Sequence, residues 1–133
     1  MYTKQYDVIN EHLDFQGVVD GLYFPFYMEW CRHSYLKEVV GIDIELEFRK
    51  GFIYTMTNMS ISYKKSLYAN DRLTVSCDLS RKEGKFKFIF HERIFVMDKI
   101  CAEAYVTAVC LKEGRPIIPD PINKLLEVRC QSR

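Results

Sequence analysis

A carboxylate on a glycine-containing turn can attack a carbonyl, and the free amides of a helix that starts within a few residues can hold the charge that develops on the carbonyl oxygen. Asp14 supplies the carboxylate, in the run His12 to Gly17. An aspartate, with a reference pKa of about 3.9, is ionised at neutral pH, so Asp14 can serve as a nucleophile or as a general base toward water. The other requirement is a hydrogen-bond donor for the oxyanion. The backbone N–H of Gly21 is assigned to it, because the first turn of a helix has no intrahelical acceptor for its amides and carries the positive end of the helix dipole. A glycine there also lets a substrate come close to the chain. Asp14 has a second reading, as a turn residue whose side chain bonds its own backbone. Asp20 reads first as the helix N-cap. His12 either orients Asp14 or is a solvated loop residue, and His33 and His91 read as surface residues.

These residues need elements to position them. Phe24, Met28, Cys31, Tyr35 and Val39 recur every three or four positions, which predicts a helix from about Leu22 to Val40 with one buried stripe. Pro25 is tolerated only in the first turn, so the helix begins within a few residues of Tyr23, and Gly41 stops it. Gln5 to Ile9 reads as a first strand, and Ile42 to Lys50 as a charged connection. Phe52 to Tyr63 alternates, with Ile53, Met59, Ile61 and Tyr63 on one face and Asn58, Ser60 and Ser62 on the other. Leu73 to Leu79, Phe86 to Met97 and Ile100 to Leu111 continue the pattern, with a glycine hairpin at Arg81 to Lys85 and a reversal at Asp98 and Lys99. Small alanines at 102 and 104 let a helix approach, and Ile122 to Val128 reads as a short terminal helix. The order predicts a single α+β domain over residues 1–133, one long helix against a five-stranded antiparallel sheet. An exposed edge strand in such a sheet is best covered by the same strand of a second copy, giving a homodimer or a dimer of dimers.

Composition narrows the function. Hydrophobic residues make up 48% of the 133, enough for a packed core. A formal charge of +1 does not suit a protein that neutralises a nucleic-acid backbone. The five cysteines, Cys31, Cys77, Cys101, Cys110 and Cys130, contain no CxxC pair, and no HExxH-type spacing occurs, so neither a disulfide framework nor a metal site is expected. No apolar run is long enough to span a membrane, and the polar start is unlike a secretory leader, so a cytoplasmic protein is expected.

The words His12 to Val19 and Phe24 to Arg32 resemble the hotdog-fold acyl-CoA thioesterases, most nearly the 4-hydroxybenzoyl-CoA thioesterase-like branch. In that family an Asp stands three residues before a Gly, which is followed by an aromatic at seven, an acid at twelve and an Arg at fifteen. Asp14, Gly17, Phe24, Glu29 and Arg32 fill all five positions. Tyr63 to Asp71 is similar to a Y-x-x-P-x-x-x-x-D segment with Ser66 at the proline, and Ala102 to Ala104 with Gly114 to Pro116 is similar to the family's end. His12 stands where the family often has an earlier Asp, and Val18 to Gly21 replaces a polar stretch.

The resemblance implies a hotdog fold and hydrolysis of an acyl-CoA or acyl-carrier-protein thioester, with Asp14 and the Gly21 N–H in the catalytic roles and no cofactor. Gly17 and Phe24 fall at the substrate. Asn58 and Ser60 line the acyl site from a neighbouring subunit or simply face solvent. Coenzyme A is phosphorylated, so Arg81, Lys82, Lys85 and Lys87, or Lys64 with Lys65, are candidate contacts for it. The aromatic residues near the helix suit an apolar or aromatic acyl group, or belong to the core. A non-catalytic acyl-CoA or carrier-protein binding module on the same fold is the alternative. A hotdog dehydratase is disfavoured, since no His lies five residues after Asp14.

Overall fold

The computed structural model describes residues 1–131, the last three by backbone alone, so the Cys130 side chain lies outside the description. Strand β1 (Tyr2–Asp7) leads through a loop to α1 (Phe24–Tyr35). Then come α2 (Ile44–Arg49), β2 (Phe52–Tyr63), β3 (Arg72–Glu83), β4 (Lys87–Val96), β5 (Lys99–Lys112), β6 (Arg115–Ile117) and α3 (Asp120–Gln131). The sheet is antiparallel in the order β1-β3-β4-β5-β2, with the short β6 added to β5 beyond the expected five strands. Leu73, Val75, Cys77 and Leu79 of β3, and Ala102, Ala104 and Val106 of β5, turn their buried faces to a core shared with Phe24, Tyr27, Met28, Cys31 and Tyr35 of α1. One helix against a curled antiparallel sheet is the hotdog arrangement expected from the sequence.

The helix starts as Pro25 requires, with the proline in its first turn. It is preceded by a 3₁₀ turn at Gly21–Tyr23, capped by Asp20, whose side chain accepts from the Leu22 N–H at 2.9 Å. At the far end the regular helix closes at Tyr35 and residues Leu36–Val40 widen into a π turn before Gly41, at φ +85°, ends it in the left-handed conformation. The stretch Ile42 to Lys50 is not a plain connection. It contains α2, capped by Asp43, which accepts from the amides of Glu45 and Leu46. A bulge between Met56 and Asn58 changes the phase of β2. Phe52 and Tyr54 are half-buried before it and Met59 and Ile61 after it, so Ile53 faces outward instead of sharing a face with Met59. Strand β1 ends at Asp7, two residues short of expectation, and β3 reaches Glu83, so Arg81 and Lys82 lie in the strand rather than in the turn.

Candidate active site

The loop from His12 to Asp20 folds as a small hairpin. Asp14 N donates to Val18 O at 2.8 Å, Asp20 N to His12 O at 2.9 Å, and Gly17, at φ +82°, turns the tip. The hairpin is tied to the body by Val19 N donating to Leu67 O at 2.8 Å. Asp14 thus stands two rungs above the His12–Asp20 pair that adjoins Gly21, a separation of about 7–10 Å at strand rise. Its carboxylate accepts from the Gln16 N–H at 2.8 Å and from the Gln16 side-chain amide at 3.3 Å, which is the self-bonded turn that the sequence allows.

At the helix start the Leu22 N–H is taken by Asp20 Oδ1 and the Tyr23 N–H by Asp20 O. No described hydrogen bond uses the Gly21 N–H, which leaves it as the open donor of that turn. Gly21 is fixed from its other side by Tyr63, whose hydroxyl donates to Gly21 O at 2.8 Å. An open groove of about 290 Å³ lies there, lined by Val19, Gly21, Phe24, Tyr63, Lys64 and Lys65. The amides of Lys64 and Lys65 both donate to Cys101 O, which holds the two lysines beside the groove.

The other sequence candidates are spread out. Gly17 is at the hairpin tip with open space around its Cα, and Phe24 is buried with its ring 5.0 Å from that of Tyr63. Asn58 and Ser60 are exposed on β2, one of the two edge strands, opposite the face that carries Met59 and Ile61. Arg81 and Lys82 are level with Asn58 and Met56 of β2 through the ladder, and Lys85 lies in the turn beyond them. Tyr63, beside Gly21, is five or more residues further along the same strand, so within one chain the basic hairpin is offset from the Gly21 amide by about 17–25 Å along the strands and lies three strands across the sheet. Arg81 packs over the ring of Tyr105 at 5.9 Å.

His12 is neither a solvated residue nor a partner of Asp14. Its ring stacks on Tyr23 at 4.2 Å, its Nδ1 is 2.8 Å from the Tyr27 hydroxyl, and Phe26 and Trp30 complete the cluster. His33 is half-exposed at the surface, whereas His91 is bound by Glu103 at 2.7 Å and stacked on Tyr105.

A pair that local pattern does not reveal lies between α1 and the sheet. Arg32, almost wholly buried, donates through Nη1 to Glu92 Oε1 at 2.7 Å, and Glu92 has no exposure at all. The second Glu92 oxygen has no partner. Burial pushes the Glu92 acid up to about 7 from its ordinary 4.5, against the opposing pull of Arg32. Four cysteines, Cys31, Cys77, Cys101 and Cys110, are free and buried, and burial raises all four thiols. Among the described residues no group of three or more His, Cys, Asp or Glu is arranged to hold a metal ion, and no helix is long and apolar enough to cross a membrane.

The fold is that of a hotdog domain. Residues 8–126 match the model of the thioesterase-like superfamily, and the chain belongs to that family. No curated protein matches the sequence significantly. Among solved structures it is similar to a hypothetical protein from Aquifex aeolicus, at 24% identity and a TM-score of 0.86, over 95% of this chain and 99% of that one. The DHNA-CoA thioesterase of Staphylococcus aureus aligns at 17% identity and a TM-score of 0.86, over 98% and 94%. The 1,4-dihydroxy-2-naphthoyl-CoA thioesterase of Synechocystis aligns at 20% identity and a TM-score of 0.84, over 94% of each chain.

Proposed function

We propose that the protein hydrolyses acyl-CoA thioesters to the free acid and coenzyme A. The observation that carries this reading is the Gly21 N–H, open in the 3₁₀ turn that leads into α1 and braced by the Asp20 cap and the Tyr63 hydroxyl. A thioester carbonyl bonded to that amide has its carbon facing the hairpin that carries Asp14. Asp14 attacks the carbon directly, the C–S bond breaks as the thiolate leaves, and water then cleaves the mixed anhydride to the free acid and the Asp14 carboxylate; or Asp14 takes a proton from a water that attacks the carbon, the C–S bond breaks, and the departing thiolate takes up that proton. A backbone amide fixed in place stabilises the developing oxyanion, a contribution of about 3–4 kcal/mol where such a donor has been removed from other enzymes. For either role the carboxylate has to exchange its Gln16 contacts for substrate or water, and Gln16 is exposed enough to release it. Family membership and the names of the DHNA-CoA and 1,4-dihydroxy-2-naphthoyl-CoA thioesterases support the substrate class.

The working unit in this reading is a homodimer, or a tetramer of two dimers, joined through β2. That strand has twelve residues on an open sheet edge, with Ile53, Met56 and Tyr63 exposed. Antiparallel pairing of two β2 strands turns the partner's Phe52 end toward this chain's Tyr63 end. The basic hairpin that stands far from Gly21 in its own chain is thereby brought toward the Gly21 of the other. Arg81, Lys82 and Lys85 are then assigned to the coenzyme A phosphates, Asn58 and Ser60 to the acyl site across the interface, and Gly17 and Phe24 to the substrate's own side.

One observation favours a second reading, a non-catalytic acyl-CoA or acyl-carrier-protein binding module: both Asp14 carboxylate oxygens already have Gln16 as a partner. Thiol release from a panel of acyl-CoA substrates separates the two. Turnover supports the enzyme. Saturable binding of acyl-CoA without thiol release supports the module.

A further inference from the structure

The seam between α1 and β2 carries two depressions in succession. The first is the groove of Gly21, Phe24 and Tyr63. Next along the same two elements is a hollow of about 200 Å³ with apolar walls of Leu22, Pro25, Phe26, Met56 and Met59. Leu22, an exposed wall of this hollow, directly follows the Gly21 of the groove. A cavity of about 150 Å³ admits benzene, so the hollow has room for an acyl group.

Two charged side chains also line the hollow, and they are unlike. Glu29 is half-exposed, whereas Arg32 is more than nine-tenths buried. A guanidinium offers five N–H donors, and among the described residues Arg32 spends one, on Glu92 Oε1 at 2.7 Å. Its other nitrogens are not sealed in the core, since the enclosed side-chain atoms without a partner, among the described residues, are the Tyr54 hydroxyl and Glu92 Oε2. The unspent donors therefore open onto the hollows that Arg32 borders, this one and a second of about 70 Å³ that is too small for an acyl group. Nor is the charge of Arg32 matched. Burial pushes the Glu92 acid up to about 7, so at neutral pH that partner is only partly ionised. Glu29 Oε1 stands 4.0 Å from Arg32 Nη2, beyond hydrogen-bond distance, and keeps much of its hydration. A buried guanidinium with free donors and incomplete counter-charge, set among apolar walls, attracts a carboxylate and can hold it by two parallel hydrogen bonds.

We propose that the hollow of Leu22, Phe26 and Met59 receives the acyl chain and that Arg32 binds a free carboxylate on it, so that the substrates are coenzyme A thioesters of linear dicarboxylic acids. The inference rests on the thioesterase reading above and gives it a substrate class. Leu22 and Arg32 are about 15 Å apart along the helix. The Arg32 side chain leans back toward the helix start by about one turn, which sets the acyl group at roughly six to eight carbons. The substrate carboxylate takes the place beside Nη2 that Glu29 approaches, and Glu29, half-exposed, turns out to solvent.

The test compares kcat/KM for octanedioyl- and octanoyl-CoA, with butanedioyl- and butanoyl-CoA as a pair too short to reach Arg32. Three proteins are used: the wild type, Glu29→Gln, and a double variant carrying Arg32→Met and Glu92→Leu. The double variant replaces the buried ion pair by apolar side chains, an exchange that is often neutral for stability. Octanedioyl-CoA is expected to exceed octanoyl-CoA by about tenfold or more in the wild type, chiefly through KM. That ratio should rise about threefold in Glu29→Gln and fall below about twofold in the double variant, while the ratio for the short pair stays within about twofold across all three proteins. Octanoyl-CoA equal to or better than octanedioyl-CoA in the wild type overturns the proposal, as does a ratio lowered by Glu29→Gln. So does a preference that survives the double variant or that butanedioyl-CoA shares, since it then comes from other charges, such as Lys64 and Lys65 beside Gly21. If no thioester is cleaved, calorimetric Kd values for the same four thioesters take the place of rates. Octanedioyl-CoA bound about tenfold tighter than octanoyl-CoA, with the advantage lost in the double variant, upholds the subsite while the hydrolase reading falls. Equal Kd values remove the subsite as well.

Discussion

Replacing Glu92 by glutamine has an effect whose sign depends on pH. Glu92 is fully enclosed between α1 and the sheet, bonded to Arg32 through one oxygen only, and burial raises its acid from 4.5 to about 7. The folded chain therefore holds this proton more tightly than the unfolded chain does. Stability from the group is fully present below pH 4.5 and is lost as pH rises through about 7. At about 1.4 kcal/mol per pH unit that interval amounts to about 3 kcal/mol. A domain holds only about 5–15 kcal/mol in total. Glutamine has the shape of the protonated acid, keeps an acceptor for Arg32 and cannot ionise. Denaturant titrations at one fixed protein concentration, at pH 5 and pH 8, should thus find Glu92→Gln close to wild type at pH 5 and more stable by about 2–3 kcal/mol at pH 8. Arg32→Met is the converse, leaving an unpaired buried carboxylate. It should cost about 3–5 kcal/mol at pH 8 and less at pH 5, where Glu92 is neutral. A Glu92→Gln protein less stable than wild type at pH 8 refutes the reasoning, because the ionised pair would then outweigh its own desolvation.

Three further expectations concern the helix start and the open edge. Tyr63→Phe removes the bond to Gly21 O and should lower kcat several-fold for a stability loss of only about 0.5–1.5 kcal/mol, read by kinetics beside thermal melts. Gly21→Ala places a methyl 3.5 Å from the Tyr63 ring, an ordinary contact, so the melt should stay within a few degrees while hydrolysis falls through crowding at the amide. Lysines at both Ser60 and Ser62, exposed on β2, put like charges along the proposed strand pairing, and sedimentation should show the dimer shifted to monomer at micromolar concentration.

Local chemistry made the helix start legible: Pro25 can stand only in a first turn, and Asp20 is the right residue to cap what precedes it. Gly41 marked the stop because a left-handed residue was needed there. The strands of the second half followed from two-residue alternation, except where the bulge near Thr57 shifted the phase and turned Ile53 outward. The helix α2 was not legible, since six residues are too few for a 3.6-residue period to declare itself. Nor was the Arg32–Glu92 pair, whose members are 60 residues apart and meet only once the sheet has curled over the helix. The setting of His12 was not legible either, for the same reason: the rings of Tyr23, Phe26, Tyr27 and Trp30 converge on it from a helix whose azimuth a loop sequence does not reveal. At the candidate site, spacing drew attention to Asp14 and Gly21, while the brace from Tyr63 came from a strand 42 residues away.

Asp14→Asn reaches the core of the account most directly. Asparagine keeps an oxygen for the Gln16 N–H, so the hairpin and its link to Val18 persist, while the charge able to attack or to take a proton is gone. With the best thioester substrate, kcat/KM of Asp14→Asn should fall by about 10²-fold or more, with the melting temperature and oligomeric state of the wild type. Hydrolysis within about threefold of wild type would contradict the account, leaving the Asp14 carboxylate as a turn residue and the open Gly21 amide without its partner.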